Sequence, residues 1–361
     1  MVTDTFKKNY ALNKKEIKSK KTILSSQPIG LGIALTSRCG LKCIMCRAWE
    51  KVWDIPDKIA DEIYSFLPYL SRLYWQGGEV FLSKHFRPLF KDAMKYPYLH
   101  QELVTSGLFI DQAWADLLTS TPINIIYSID GFTPEVYEKI RLGARFEDML
   151  KSASLINTWK EKNTDASARP LATTSINFTV MASNYKNIPM AVDFALSYGF
   201  DDLTLTPVDY IRDEENIFLH QNMDALKFID EALIILREKA SAKGLSFHCL
   251  IPALKADLQG SYSEKGKIRP QKRSKDKLPL CLWPWQHMFV DIGGEVKPHC
   301  VCPQSLGNIS DKSLEELWNS DTMVEYRRRV ANGDMAGFCS QNCLANLHQE
   351  ELFRIRDPLL K

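Results

Sequence analysis

Residues 31–46 read Leu-Gly-Ile-Ala-Leu-Thr-Ser-Arg-Cys-Gly-Leu-Lys-Cys-Ile-Met-Cys, and the rest of the chain is read outward from them. The apolar run at 31–35 is a short buried strand by its length and composition. A loop follows at once, carrying Cys39, Cys43 and Cys46 in the spacing C-x3-C-x2-C. Three thiolates on one short loop grip three corners of a metal site and leave the fourth open. Structural zinc sites are closed by four protein ligands, so an open corner implies that something else binds there. Soft thiolates suit zinc or iron–sulfur clusters. A cubane with one iron lacking a protein ligand is a Lewis-acid site for a chelating molecule.

Length and composition bound the class. With 361 residues, 45% of them hydrophobic and 25% charged, the chain has an ordinary globular composition and room for one large domain plus a small one. A net charge of +2 argues against an obligate nucleic-acid or membrane surface. The Lys-rich N-terminus lacks the apolar core of a signal peptide, and no run of about eighteen apolar residues is present. Nine cysteines, an odd number grouped in C-x3-C and C-x-C patterns, read as metal ligands in a reducing compartment. A cytoplasmic location is expected.

Residues 1–28 form a basic N-terminal extension with Lys7, Lys8, Lys14, Lys15, Lys18, Lys20 and Lys21, a pattern that reads as a solvated helix or a frayed arm. Residues 29–248 alternate short apolar runs with helical patterns. After the first strand, further strands are expected at 72–76, 102–105, 123–129, 174–180 and 202–206. Helices are expected at 56–70, 85–96, 111–118, 146–162 and 187–198. Six such repeats give parallel strands with right-handed crossovers, and special residues gather after the strand ends, where barrel enzymes place their chemistry. A long amphipathic helix at 218–243 and a strand at 245–251 follow. Residues 249–277, a strand and a basic segment broken by Gly266 and Pro270, read as a linker.

The second cysteine constellation occupies 278–348, with 349–361 as a tail. It holds Cys281, Pro284-Trp285, an apolar run at 288–290, Gly293-Gly294 and Cys300-Val-Cys302. A helix then opens at Ser313 with Glu316 as its capping-box partner, and Cys339-x3-Cys343 ends the unit. A unit with so small an apolar core needs a staple. Four of its five cysteines can hold an iron–sulfur cluster or a zinc ion.

The cysteine loop behind the first strand resembles the signature of the radical S-adenosylmethionine (SAM) enzymes. The resemblance implies that Cys39, Cys43 and Cys46 hold a four-iron four-sulfur cluster whose fourth iron is chelated by the amino and carboxylate groups of SAM. An electron from that cluster splits SAM, and the resulting 5′-deoxyadenosyl radical abstracts hydrogen from substrate. Met45 stands where the family often has an aromatic residue, and its thioether can pack on adenine. Gly77-Gly78-Glu79 resembles the family's Gly-Gly-Glu-Pro motif, with Val80 in the proline's place. Glycines there let the backbone approach a ligand closely, and the resemblance implies that the carboxylate beside them, Glu79, can bind the SAM ammonium. Ser128 and Asp130 match positions that contact SAM or its ribose, and Arg141 offers a guanidinium to the SAM carboxylate. Asn177 and Leu205 are expected as ribose and adenine contacts. The fold implied is α/β, a partial (β/α)6 TIM barrel with a small C-terminal α+β domain of the SPASM or shortened twitch type. Such domains carry auxiliary clusters, here held by Cys281, Cys300, Cys339 and Cys343, with Cys302 as the alternate ligand. The expected cofactors are SAM and two 4Fe-4S clusters, one SAM-binding and one auxiliary, fed by a flavodoxin- or ferredoxin-type reductant.

The 38 residues before Cys39 leave no room for the leader-recognition module of many peptide-modifying relatives. The expected reaction is therefore dehydrogenation of a small polar substrate such as a sugar or aminocyclitol, with the auxiliary cluster as electron acceptor. Crosslinking or epimerisation of a ribosomal peptide is the alternative. Cys249, apart from both constellations, is either a small buried hydrophobe or a hydrogen-atom donor of the kind epimerising relatives use. A non-catalytic iron–sulfur or zinc protein is the third reading, and Gly77–Glu79 with Ser128 stand against it, because an electron carrier has no use for a SAM pocket. His248, His287 and His299 lack metal-ligand spacing and read as ordinary.

Overall fold

The computed structural model describes residues 2–208, 213–251, 278–340 and 343. Helix α1 (Asp4–Lys18) precedes β1 (Gly30–Ala34), α2 (Asp57–Phe66), β2 (Arg72–Gln76) and α3 (Phe86–Ala93). Next come β3 (His100–Thr105), α4 (Gln112–Thr119), β4 (Ile123–Ser128), α5 (Pro134–Ile140), α6 (Phe146–Lys162) and β5 (Ala172–Val180). They lead to α7 (Ala191–Ser197), β6 (Asp202–Pro207), α8 (Met223–Lys243) and β7 (Ser246–Cys249). The C-terminal part contains α9 (Trp283–Gln286), β8 (His287–Val290), β9 (Glu295–Lys297), β10 (Gly307–Asn308), α10 (Leu314–Trp318) and α11 (Asp321–Asn332). Most of the basic linker, the tail and residues 344–348 lie outside the described residues.

The α/β class holds, with mostly parallel strands consistent with a partial TIM barrel. β2 and α6 fall where the sequence pattern puts them, whereas α5 adds a short helix that the pattern does not suggest. Its signal is local: Thr133 caps it through Val136 N, and Pro134 supplies the first helical position. α8 starts at Met223 rather than 218, because the Asn222 side chain accepts from Ala225 N and so fixes the start. The helix opening at Ser313 does form its capping box with Glu316. It stops at Trp318, and Ser320 caps a second helix, α11. Among the described residues, no helix is long and apolar enough to cross a membrane.

The chain forms two compact units. One contains Met1–Arg38, Trp53–Gln101 and Lys267–Lys361, with strand order β10-β9-β8-β1-β2. β1 is paired in parallel on both edges, Gly30 opposite Arg72 on β2 and opposite His287 on β8. All five of its residues are buried, as in a strand covered on both faces. β8 turns back into β9 through Gly293 and Gly294, at φ +88° and +83°, conformations that glycine adopts without strain.

In this unit α1 departs from the expected solvated arm. Its lysines face outward, but Phe6, Tyr10 and Ile17 are buried together with Asn9, Asn13 and Glu16. Asn13 Nδ2 donates to Trp285 O at 2.6 Å and to Ser26 Oγ at 3.1 Å. Burial pushes the Glu16 carboxyl up, but the Ser25 and Ser26 amides and Lys21 outweigh it and hold the group below its ordinary range. The lysines conceal the fact that three polar residues here are inward-facing hydrogen-bonding groups.

The other unit, Cys39–Val52 and Glu102–Gly266, carries β4, β5, β6 and β7 as parallel neighbours. Side chains alternate faces along these strands. Tyr127, Ile129, Phe178, Leu203 and Leu205, all without exposed surface, lie on one face. Aromatics from the connecting segments pack there, with Phe132 stacked on Phe178 at 5.0 Å and Phe200 edge-on to Tyr127 at 5.5 Å.

Candidate functional site

The cysteine loop is strapped to the chain just beyond α5. Lys42 N donates to Leu142 O and Ile44 N to Ile140 O, at 2.9 and 3.0 Å. Gly143, at φ +95°, lets this strand-like pairing continue toward Gly40. Cys43 is thereby buried, while Cys39 and Cys46 are half-buried. Peptide amides already address two of the sulfurs: Leu41 N donates to Cys39 Sγ and Ala48 N to Cys46 Sγ, both at 3.4 Å. Such N–H···S bonds stabilise thiolate and cluster charge.

Burial raises the Cys43 thiol to about 11. Arg141 pulls it down, while Asp130, Cys46 and Cys39 push it further up. Metal coordination deprotonates such a thiol outright. Among the described residues, no group of three His, Cys, Asp or Glu side chains closes on a single-ion site. A cubane holds its ligands farther apart, because four irons and four sulfides stand between them. The loop's donor set and its amide donors fit a cluster with one iron left open.

Met45 is half-buried and packs, with Ile44 and Val136, on an apolar cluster of Ile140, Met181 and Val208. Asp130 and Arg141 do not project outward as ligand contacts. Asp130 has no exposed surface, and its Oδ2 lies 2.5 Å from Arg141 Nη2.

Across β4 to β7 the register sets Ser128, Asn177, Thr204 and His248 side by side. This row is half-buried or exposed and lies on the face opposite the aromatic packing. Ser128 and Asn177 were candidates from the sequence, whereas Thr204 and His248 were missed. Period-two alternation marks them as belonging to the polar face, but only the register reveals the row. Leu205 is corrected by the same rule: it is fully buried on the helix-covered face, which accounts for it as core rather than as an adenine contact. Cys249, opposite Leu205 on β7, is on that face too, beside Arg237 and Asp230 of α8. The hydrogen-atom-donor role expected of Cys249 therefore loses its support, because the thiol faces away from the polar row.

In the other unit, the glycines of Gly77-Gly78-Glu79 serve a close approach to the chain itself. Gly78 N donates to Thr36 O and Glu79 N to Arg38 O, both at 2.7 Å. Glu79 is 1% exposed. Gly77 sits at φ +140°, and a Cβ on Gly78 would run into the carbonyls of Ser37 and Arg38. Gly78→Ala is expected to cost about 1–3 kcal/mol through this overlap with backbone that cannot move aside. A urea midpoint equal to that of the parent protein would show that the strand end yields.

The C-terminal cysteines are sorted by a turn. Cys302 N donates to His299 O at 2.9 Å, which puts Cys300 and Val301 at the corner. Cys300 is exposed, its sulfur 3.4 Å from His299 Nδ1, and Val301 is 51% exposed. Cys302 turns back inward. Burial raises its thiol well above the ordinary range, and Cys281, Cys343 and Cys339 are near enough to add to that rise. Burial likewise raises Cys339, to about 12, with Cys343 adding to it. Trp283, His287 and His299 pack beside the turn with ring centroids 4.4–5.5 Å apart. His287 is driven well below its ordinary pKa by burial, then by His299, and His299 falls to about 4 through burial and Arg72. Burial thus favours the neutral form of both imidazoles. Four neighbouring sulfurs, that of Cys281 buried and the other three half-buried, fit a cluster with every iron ligated by protein.

Residues 33–158 match the Radical SAM superfamily, and residues 281–344 match the SPASM iron-sulfur cluster-binding domain. Among curated proteins, the chain is 22% identical over 309 residues to a "tungsten-containing aldehyde ferredoxin oxidoreductase cofactor-modifying protein" of Pyrococcus furiosus, covering 82% of each. Its fold is similar to that of Streptococcus suis SuiB bound to the precursor peptide SuiA, with a TM-score of 0.63 at 18% identity over 97% of this chain and 79% of that one. It is also similar to anSMEcpe with bound AdoMet and the Cp18Cys peptide, with a TM-score of 0.58 at 16% identity over 90% and 95% of the two chains. The chain is a member of the radical SAM superfamily with a C-terminal SPASM domain, and its cofactors are SAM and iron–sulfur clusters.

Proposed function

We propose that this radical SAM enzyme oxidises a polar substrate and passes an electron to its auxiliary cluster. The observation that carries the reading is the turn closed by Cys302 N and His299 O, which leaves Cys300 exposed at its corner and Cys302 half-buried with Cys281, Cys339 and Cys343 nearby. A cluster with all four corners taken by protein cannot chelate a substrate, so electron transfer is its remaining use. SAM bound at the loop cluster supplies the 5′-deoxyadenosyl radical. In this reading Cys39, Cys43 and Cys46 hold the loop cluster and Glu79 takes the SAM ammonium. Met45 borders the adenine, and Ser128, Asn177, Thr204 and His248 orient polar groups of SAM or substrate. Loss of a hydrogen atom leaves a carbon-centred radical on the substrate. A two-electron oxidation is completed when one further electron and one proton leave. The loop cluster draws its electron from a flavodoxin- or ferredoxin-type donor.

A sugar or aminocyclitol suits the hydroxyl and amide character of the polar row. The peptides in the SuiB and anSMEcpe complexes support a second reading, in which the polar substrate is a peptide. Anaerobic turnover with site-deuterated members of each class separates the two by which one transfers deuterium into 5′-deoxyadenosine. With unlabelled substrate, oxidation appears as a product two mass units lighter, whereas epimerisation leaves the mass unchanged in ordinary water. Cys302→Ser is expected to lose about four irons and to keep cleaving SAM without yielding oxidised product. Cys300→Ser should keep both iron and product. Iron loss from Cys300→Ser instead would reverse the ligand assignment, and product from a Cys302→Ser protein lacking that iron would remove the electron-acceptor role.

A further inference from the structure

Behind the cysteine loop lies a buried charge pair for which SAM binding gives no account. Arg141 is 7% exposed and Asp130 not at all. The guanidinium meets Asp130 through Nη2, and its Nη1 lies 3.9 Å from Cys43 Sγ. Asp130 is itself fixed: Thr179 N donates to its Oδ1 at 2.8 Å, and Asn184 Nδ2 donates to its backbone carbonyl at 3.0 Å. Asn184 Nδ2 also donates to Thr179 O, and its Oδ1 accepts from Met181 N at 2.7 Å. The same stretch, 140–142, hydrogen-bonds to the cysteine loop on either side of Cys43. Tyr137 of α5 is the remaining titratable neighbour; burial pushes its hydroxyl up to about 12, and that hydroxyl has no hydrogen-bond partner among the described residues.

Two charges are not taken this far out of water without a compensating use. The cation is shared between a fixed carboxylate and one sulfur, and that sulfur is the most buried of the three loop thiols. We propose that Asp130 and Arg141 are positioning residues that set the reduction potential of the cluster held by Cys43, with Arg141 delivering positive charge to the Cys43 sulfur and Asp130 limiting how much. The proposal rests on the assignment of Cys43 as a cluster ligand. Adding an electron makes the cluster more negative, so a nearby cation favours the reduced form and raises the potential, while a nearby anion lowers it. In this low-dielectric position neither charge is screened as it would be at the surface.

The test is an EPR-monitored redox titration of the loop cluster, with SAM absent, in protein whose auxiliary ligand Cys302 is replaced by Ser so that only one cluster contributes. Asp130→Asn leaves the cation without its counter-charge and is expected to raise the reduced-to-oxidised ratio at fixed potential about tenfold, equivalent to about 59 mV for one electron. Asp130→Asn combined with Arg141→Met removes both charges, so no buried carboxylate is left unpaired. It is expected to bring the potential back down from that of Asp130→Asn by a similar amount. Arg141→Lys in the otherwise unchanged pair keeps the charge and should stay within about threefold of the parent. A merely structural role would move the variants together or leave the potential unmoved, and either result overturns the proposal. A parent protein that takes up no iron at the loop would instead remove the assignment of Cys43, a different failure with a different signature.

Discussion

Replacing Cys43 with alanine should leave a protein that keeps its auxiliary iron and makes no 5′-deoxyadenosine from SAM and reductant. Cys43 is the buried member of the loop trio, and Ile44 and Lys42 on either side are tied by their amides to Ile140 and Leu142. The alanine backbone can keep those bonds, so the loop persists while one corner of the cluster loses its ligand. Two thiolates do not hold a cubane against solvent and oxygen, so iron per chain is expected to fall by about half. With no cluster to chelate SAM, the remaining chain has no route to its reductive cleavage, and the loss should be complete rather than graded. Iron analysis and chromatography of the SAM products on the same sample check both statements. Undiminished 5′-deoxyadenosine from the variant, or stoichiometric zinc in place of iron in the parent, would sink the assignment.

Arg327→Met should produce the largest stability loss of any single change outside the cysteines. Arg327 on α11 has no exposed surface. Its Nε donates to Pro284 O at 2.8 Å, its Nη1 to Thr22 O at 2.9 Å and Asn319 Oδ1 at 2.8 Å, and its Nη2 to Trp318 O at 2.8 Å. The guanidinium also lies over the Trp318 ring at 4.5 Å. One side chain thus joins the segment after α1, the start of α9 and the end of α10. Methionine fills the volume but donates nothing, so four oxygens lose this donor, those of Pro284 and Trp318 in buried bonds. At about 1 kcal/mol for each lost bond the loss is on the order of 4 kcal/mol. Arg327→Lys keeps the charge but cannot fork, and it should recover little. Urea unfolding followed by tryptophan fluorescence reads the effect, because Trp285 and Trp318 both belong to this network. An unchanged midpoint for Arg327→Met would show that water or a rearranged neighbour replaces the guanidinium.

Arg327 also shows what kind of information the sequence carried. It sits in Arg327-Arg328-Arg329, which reads as the basic end of a helix, yet Met323, Tyr326, Arg327 and Val330 share the i, i+3, i+4, i+7 spacing of a buried face. The periodicity was legible, and the charge disguised it. The same is true of α1, where outward lysines hide inward Asn9, Asn13 and Glu16. The cysteine loop and the strand–helix alternation could be read because their signals are local in the chain. The polar row on β4 to β7, the placement of Leu205 and Cys249 on the helix-covered face, and the pairing of Asp130 with Arg141 depend on register and burial between distant segments. No local spacing encodes those. The choice between Cys300 and Cys302 lies between these cases, since C-x-C is visible in sequence while the turn at His299 that separates them is not.

The pairing of β1 with β8 carries a consequence for biogenesis. β1 leaves the ribosome well before β8, because its neighbour's first paired residue, His287, follows Gly30 by 257 residues. At about 5–20 residues per second, the edge that β8 will cover waits on the order of tens of seconds. An apolar strand with an open edge is a template for wrong partners during that interval. The loop carrying Cys39, Cys43 and Cys46 begins five residues after β1 ends. A cluster inserted into the nascent chain would therefore precede completion of that sheet. Maturation in which iron and sulfide arrive after release, once β8 has closed the sheet, avoids that exposure and makes folding the step that licenses metallation.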